Sequence, residues 1–124
     1  MADHDDEIMG ALAYTISRVY SLLVEVCGLL PVPIGMPVER EIPTSTVIPA
    51  VQRAAALAAE EPMGETQEAQ LFTGCIHLLA AIDLYALCAT RYIETRAEGC
   101  GANLVYAEEA LKDLARWLVI NAAD

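Results

Sequence analysis

The chain has 124 residues, 56% of them hydrophobic and 20% charged, with a mean hydropathy of +0.39, which allows one domain with a real core and excludes intrinsic disorder. Its 18 acidic and 7 basic residues give a formal net charge of -11, and one lysine with six scattered arginines cannot form the basic face that neutralises phosphates, so nucleic acid is excluded as a partner. There is more apolar surface here than a small monomer readily hides, which points to a homo-oligomer, expected to be a dimer, or to a cavity for a hydrophobic small molecule.

Residues 1–5 read as a mobile acidic N-terminus carrying His4. Asp5 or Asp6 can cap a first helix, and Asp3, Asp5, Asp6 and Glu7 place negative charge at its positive end. Ile8, Leu12, Ile16, Val19, Leu23, Val26 and Leu30 recur at helical steps, whereas Tyr14, Ser17, Arg18, Ser21 and Glu25 form a narrow polar stripe, so this helix should be mostly covered as far as about Leu29. The acidic start lacks the basic character of a targeting segment, and the apolar helices carry internal charges without basic flanks. Both features point to a cytoplasmic protein and away from a membrane span.

Residues 31–45 form a Pro-rich connection. Pro31, Pro33, Pro37 and Pro43 forbid continuous helix, and the residues between them are apolar, so the segment is expected to pack onto the protein as a lid or brace. A second helix is predicted over Val47–Glu60, capped by Thr46, which puts Pro49 at the third position, where a missing N–H breaks no bond. It is short, about 21 Å long, and thinned by Ala50, Ala54, Ala55, Ala56, Ala58 and Ala59. Pro62 stops it.

The third helix is predicted over residues 66–98, stopped by Gly99-Cys100-Gly101. Between Leu71 and Ala89 only His77 and Asp83 readily carry charge, and the apolar positions surround the axis, so the helix should be buried on every side. Gly74, Ala81 and Cys88 make a small-residue seam for a close neighbour. Asn103 is expected to cap a last helix in which Leu104, Ala107, Leu111, Leu114 and Leu118 face the core, with Glu108, Lys112 and Arg116 outside.

Four helices with short or packed connections predict an all-α single domain, an antiparallel four-helix bundle in up-down-up-down order that dimerises. In that order the third helix outruns the second. Its upper half, near Asp83, then lacks cover, and Glu25 and Trp117 fall at about the same level, with Tyr20 and Tyr85 within a turn.

A buried carboxylate needs a partner or a task. Asp83 is expected to pair with Arg18, Arg91 or another subunit's His77, to lie exposed at a groove, or to act as a general acid or base with His77, Glu25 and Arg18 assisting, while Tyr20, Tyr85 and Trp117 line a ligand pocket. His77 stands about 120° from Asp83 around the helix, so the two do not form a dyad.

Cys27, Cys75, Cys88 and Cys100 lack zinc spacing and read as reduced core residues. No metal and no cofactor is expected: there is no Glu-x-x-His pair, Gly-rich phosphate loop or nucleophile motif. Glu60, Glu61, Glu65 and Glu68 should join the acidic N-terminus at one negative pole, where a basic partner, Mg or Ca could dock. The expected function is a non-catalytic helical module that binds a hydrophobic small molecule or a partner helix as a homodimer. The alternatives are a small cofactor-free isomerase, cyclase or hydrolase using Asp83, or an acidic protein-interaction or inhibitor protein.

Overall fold

A computed structural model of the chain describes residues 2–38 and 43–122. It contains four α-helices, α1 (Ala2–Leu29), α2 (Thr44–Leu57), α3 (Glu65–Thr90) and α4 (Glu94–Ala122), with a single 3-10 turn, Ala58–Glu60, after α2 and no strand among the described residues. The fold is all-α, as the periodicities predict, and its helices pack against one another with α3 touching each of the others. Part of the Pro-rich connection, residues 39–42, lies outside the described residues.

The core follows the helical stripes. Val19, Leu23, Val26 and Leu30 of the first stripe are buried, while Leu12 and Ile16 are only half covered. In α4 the whole series Leu104, Ala107, Leu111, Leu114 and Leu118 is buried, and all four cysteines are free and buried. Gly74, Ala81 and Cys88 are buried on α3, and the seam they form faces α4. A methyl group on Gly74 would touch Leu111, and the thiol of Cys100 donates to the carbonyl of Ala81 at 3.3 Å.

Several boundaries differ from the sequence expectation. The first helix begins at Ala2, so His4 and the acidic residues belong to its opening turns. The second starts at Thr44, because extended Pro43 supplies the first accepting carbonyl, to the N–H groups of Thr46 and Val47. Thr46 is therefore inside the helix. Pro49 then sits deeper than the third position and leaves the exposed Ser45 carbonyl to water.

The larger correction is at the end of α3. The helix stops at Thr90, where Arg91 turns extended, and α4 begins at Glu94 with the Ile93 carbonyl accepting from Arg96 and Ala97. Gly99, Gly101 and Asn103 are thus interior to α4. Gly99 gives room there, with Leu84 3.2 Å from where its Cβ would be, whereas Leu12, 3.9 Å from the same point on Gly101, is at ordinary contact distance.

Contacts fix the levels along the helices. Between α3 and α4 the pairs run in reverse order, with Gly74 at Leu111, His77 at Asn103 and Leu84 at Gly99. Between α1 and α4 they rise together, with Leu12 at Gly101 and Arg18 at Glu108. Leu12 therefore sits at the level of the α3 C-terminal half, and Glu25 toward the α3 N-terminal half. This overturns the expected sharing of a level by Glu25 and Asp83.

The Pro-rich connection causes the rearrangement. It stays bound to the end of α1 through Ile34 N–H to the Cys27 carbonyl at 3.0 Å, and it reaches back along α1 until Tyr20 donates its hydroxyl to the Pro37 carbonyl at 2.9 Å. Of the apolar residues in its described part, Ile34 is buried, whereas Val32 and Val38 are exposed. A brace that doubles back returns the chain along α1 before α2 starts, so α2 ends where α1 ends, with Glu61 accepting from Val32 N–H at 2.9 Å.

Candidate functional site

The helix expected to be buried all round keeps one open face. Phe72 is 50% exposed, Ile76 41% and Leu87 48%, and at 100° per residue these three point the same way as Asp83, which is also exposed. The buried residues Gly74, Ala81 and Cys88 occupy the opposite face, and Leu71, Cys75, Leu78 and Ile82 the flank beside it. Asp83 is therefore a solvated carboxylate in the middle of an apolar stripe, and it has no ion-pair partner among the described residues. The expectation of a buried Asp83 is corrected: covering the two flanks of α3 with α2 and α4 leaves its outer side without a neighbour.

His77 turns toward α4. Its Nδ1 lies 2.7 Å from Asn103 Oδ1, and the Asn103 amide nitrogen donates to the Gly99 carbonyl at 2.8 Å. With the amide held that way its oxygen can only accept, which assigns the proton of a neutral His77 to Nδ1. The ring of Tyr106 lies over the imidazole, 5.4 Å between centroids and tilted by 34°. His77 is thus a partnered, half-buried histidine at a helix junction. The sequence pattern hides Asn103 as its partner, because Asn at that place also reads as a cap.

Arg18 and Glu25 do come together, in a groove of about 320 Å³ between α1 and α4 that also contains Glu108 and Lys112. Glu108 takes both cations, at 2.8 Å from Arg18 and 2.7 Å from Lys112, and these bonds, that of Lys112 foremost, hold its carboxyl below the usual range. Tyr20 is committed to Pro37, and its phenol is pushed up by burial first and by Cys27 second, with Arg53 opposing. Tyr85 and Trp117 pack as half-buried members of the core. The structure therefore distributes Asp83, His77, Glu25, Tyr20, Tyr85 and Trp117 over the outer face of α3, the two junctions with α4, the brace and the core rather than around one pocket.

The acidic pole also divides. Asp5 raises the Tyr92 phenol, after desolvation, and so lies at the α3–α4 turn, whereas Glu61 is at the other end beside Val32. No group of three or more His, Cys, Asp or Glu side chains able to hold a metal ion occurs among the described residues. By length and composition alone α3 and Asp3–Leu29 of α1 could cross a membrane, a test that a core helix also passes.

What the surface offers chemically is the α3 stripe: apolar, elongated, and interrupted by one hydrated charge. No protein-family model matches the chain, and neither the curated proteins nor the solved structures include a significant match to it.

Proposed function

We propose that the chain is a non-catalytic helical module that pairs with a second copy of itself through the outer face of α3, as a homodimer in the cytoplasm. In this reading α3 runs antiparallel to α1 and α4, and the dimer adds a neighbour on its one uncovered side. The partner helix is supplied by the second copy.

The observation that carries the proposal is the surplus of surface. The protomer exposes 7293 Å², whereas a folded monomer of 13.3 kDa is expected to expose about 6,450 Å². Phe72, Ile76 and Leu87 put apolar side chains where the partner's contact is needed. An enzyme built on Asp83 gains no such support, because the carboxylate stands on an open face away from His77, Glu25 and Arg18.

The test is sedimentation equilibrium at micromolar concentration, with native mass spectrometry to detect retained ligand. A dimer is expected for the natural sequence, and Phe72→Arg and Ile76→Arg should each yield a monomer with unchanged helical circular dichroism. A natural sequence that is monomeric, or soluble only with detergent, refutes the proposal. A bound hydrophobic molecule in a monomer would favour the small-molecule alternative in its place.

A further inference from the structure

Glu61 is the one charged residue that is buried among the described residues, at 5% exposure. It follows α2 and its 3-10 turn, and it lines a cleft of about 460 Å³ between that end of α2 and the Pro-rich connection. Its Oε1 accepts from Val32 N–H at 2.9 Å, and no other side-chain bond to it occurs among the described residues. A carboxylate has two oxygens and about four acceptor positions, so a buried one with a single partner leaves acceptor capacity turned to the cleft.

The same cleft also holds the opposite charge, together with a second acid, the exposed Glu60. Arg53, two helical turns before Glu61, also lines the cleft and donates through Nη2 to the Gly35 carbonyl. It forms no ion pair among the described residues, with Glu61 or with any other acid. Four of its five N–H donors are therefore open to a ligand. The apolar part of the lining is Val32, Pro33, Ile34 and Leu57. The two charges act in opposite directions on the Cys27 thiol. Cys27 is pushed up to about 12 by burial first, then by Glu61, with Arg53 opposing.

We infer that this cleft binds a small zwitterion with an ammonium group, an aliphatic stem and a carboxylate at the far end. The ammonium lies on the open oxygen of Glu61, the carboxylate on the guanidinium of Arg53, and the stem along Val32, Ile34 and Leu57. Two observations set the ligand class. Glu61 and Arg53 line one cleft without pairing with each other, which selects a ligand that carries both charges. The buried acid is the costlier group to leave without a counter-charge, so the ammonium contributes the larger share of affinity. The site is independent of the α3 face, and its occupancy does not require the dimer.

The experiment is a titration of the whole chain with 6-aminohexanoate, followed by amide chemical shifts of Val32, Ile34 and Gly35, with hexylamine and hexanoate as single-charge controls. Saturable shifts at those amides are expected for 6-aminohexanoate, with hexylamine weaker by about tenfold, which is about 1.4 kcal/mol, and hexanoate weaker still. Arg53→Gln, on an exposed side chain, should bring the affinity for 6-aminohexanoate down to that for hexylamine. Glu61→Gln keeps an acceptor for Val32 N–H and should abolish the preference for an ammonium. No saturable shift in the natural sequence at millimolar probe overturns the inference. So does equal binding of 6-aminohexanoate and hexanoate, or an affinity unchanged in Arg53→Gln.

Discussion

Replacing Gly74 by alanine tests the closeness of α3 and α4 more directly than any other single change. An added Cβ would lie 2.6 Å from both Cγ and Cδ2 of Leu111, whose side chain is fully buried. Carbon atoms in contact normally stand about 3.5–4.0 Å apart, so one side must move by about 1 Å. Cγ is the branch point of Leu111, so a rotation of its methyl groups does not relieve the clash. Overpacking of this kind costs about 1–3 kcal/mol, while alanine in a helix interior gains about 1 kcal/mol over glycine. The net result is a loss of up to about 2 kcal/mol. Gly10→Ala is the control, because nothing lies within 4 Å of its Cβ, and it should gain the full ~1 kcal/mol.

For 124 residues the unfolding entropy is about 0.26 kcal/mol/K, so 1 kcal/mol is about 4 °C in Tm. Calorimetry should place Gly10→Ala about 4 °C above the natural sequence, and Gly74→Ala at or below it. The sign should reverse when Leu111 is first cut to alanine: that change alone costs about 2–5 kcal/mol, and Gly74→Ala should then stabilise, because its methyl enters the space vacated. If Gly74→Ala raises Tm as much as Gly10→Ala does while Leu111 is present, the helices are not as close as described.

Burial pushes the thiols of Cys27 and Cys75 up to about 12, from an ordinary 9.0. The folded state therefore holds these protons longer than the unfolded one. Their contribution is complete below pH 9 and is lost between pH 9 and 12, at up to about 1.4 kcal/mol per pH unit for each thiol. Urea titrations across that range should show the decline, Cys75→Ser should make it shallower, and a thiol reagent at pH 8 should label none of the four cysteines before unfolding. Glu108 has the opposite sign. Its folded carboxyl lies below the ordinary 4.5 because of Lys112 and then Arg18, so its contribution is present above pH 4.5 and lost on acidification. Arg18→Gln and Lys112→Gln should each cost about 0.2–1 kcal/mol at neutral pH, less at high salt, and nothing once Glu108 is protonated.

What the sequence discloses is what local periodicity controls. The series from Leu104 to Leu118 repeats on one stripe and is wholly buried, and the small residues Gly74, Ala81 and Cys88 mark the face where α4 comes close. The turn after Thr90 leaves no such trace. It uses an extended Arg91 and no glycine or proline, whereas the glycines that resemble a stop, Gly99 and Gly101, occupy helical positions against Leu84 and Leu12. Glycine marks both a chain reversal and a close approach, and only tertiary contact separates the two uses. Glu61 was legible as an acid near a turn but not as a buried one, because its cover comes from the connection thirty residues earlier.

The expected site failed on level rather than on residue type. Placing the start of α4 at Asn103 instead of Glu94 displaces it by nine positions, about 14 Å along an axis. Letting α2 return directly from α1 reverses α1 relative to the other helices, and with it the levels assigned between α1 and α3 or α4. Asp83 then moves from a presumed interior to an outer face, and its significance changes accordingly. On a free protomer a hydrated aspartate among Phe72, Ile76 and Leu87 costs nothing. In a dimer it restricts how two α3 faces can meet, because a carboxylate enclosed without a partner is penalised. A two-fold axis near Phe72 and Ile76 keeps both aspartates at the rim, whereas one near Asp83 brings the two charges together. Asp83 thus disfavours a two-fold axis at its own level, and the exposed Glu65, at the same angle in the first turn of α3, sets the other limit of the apolar stretch.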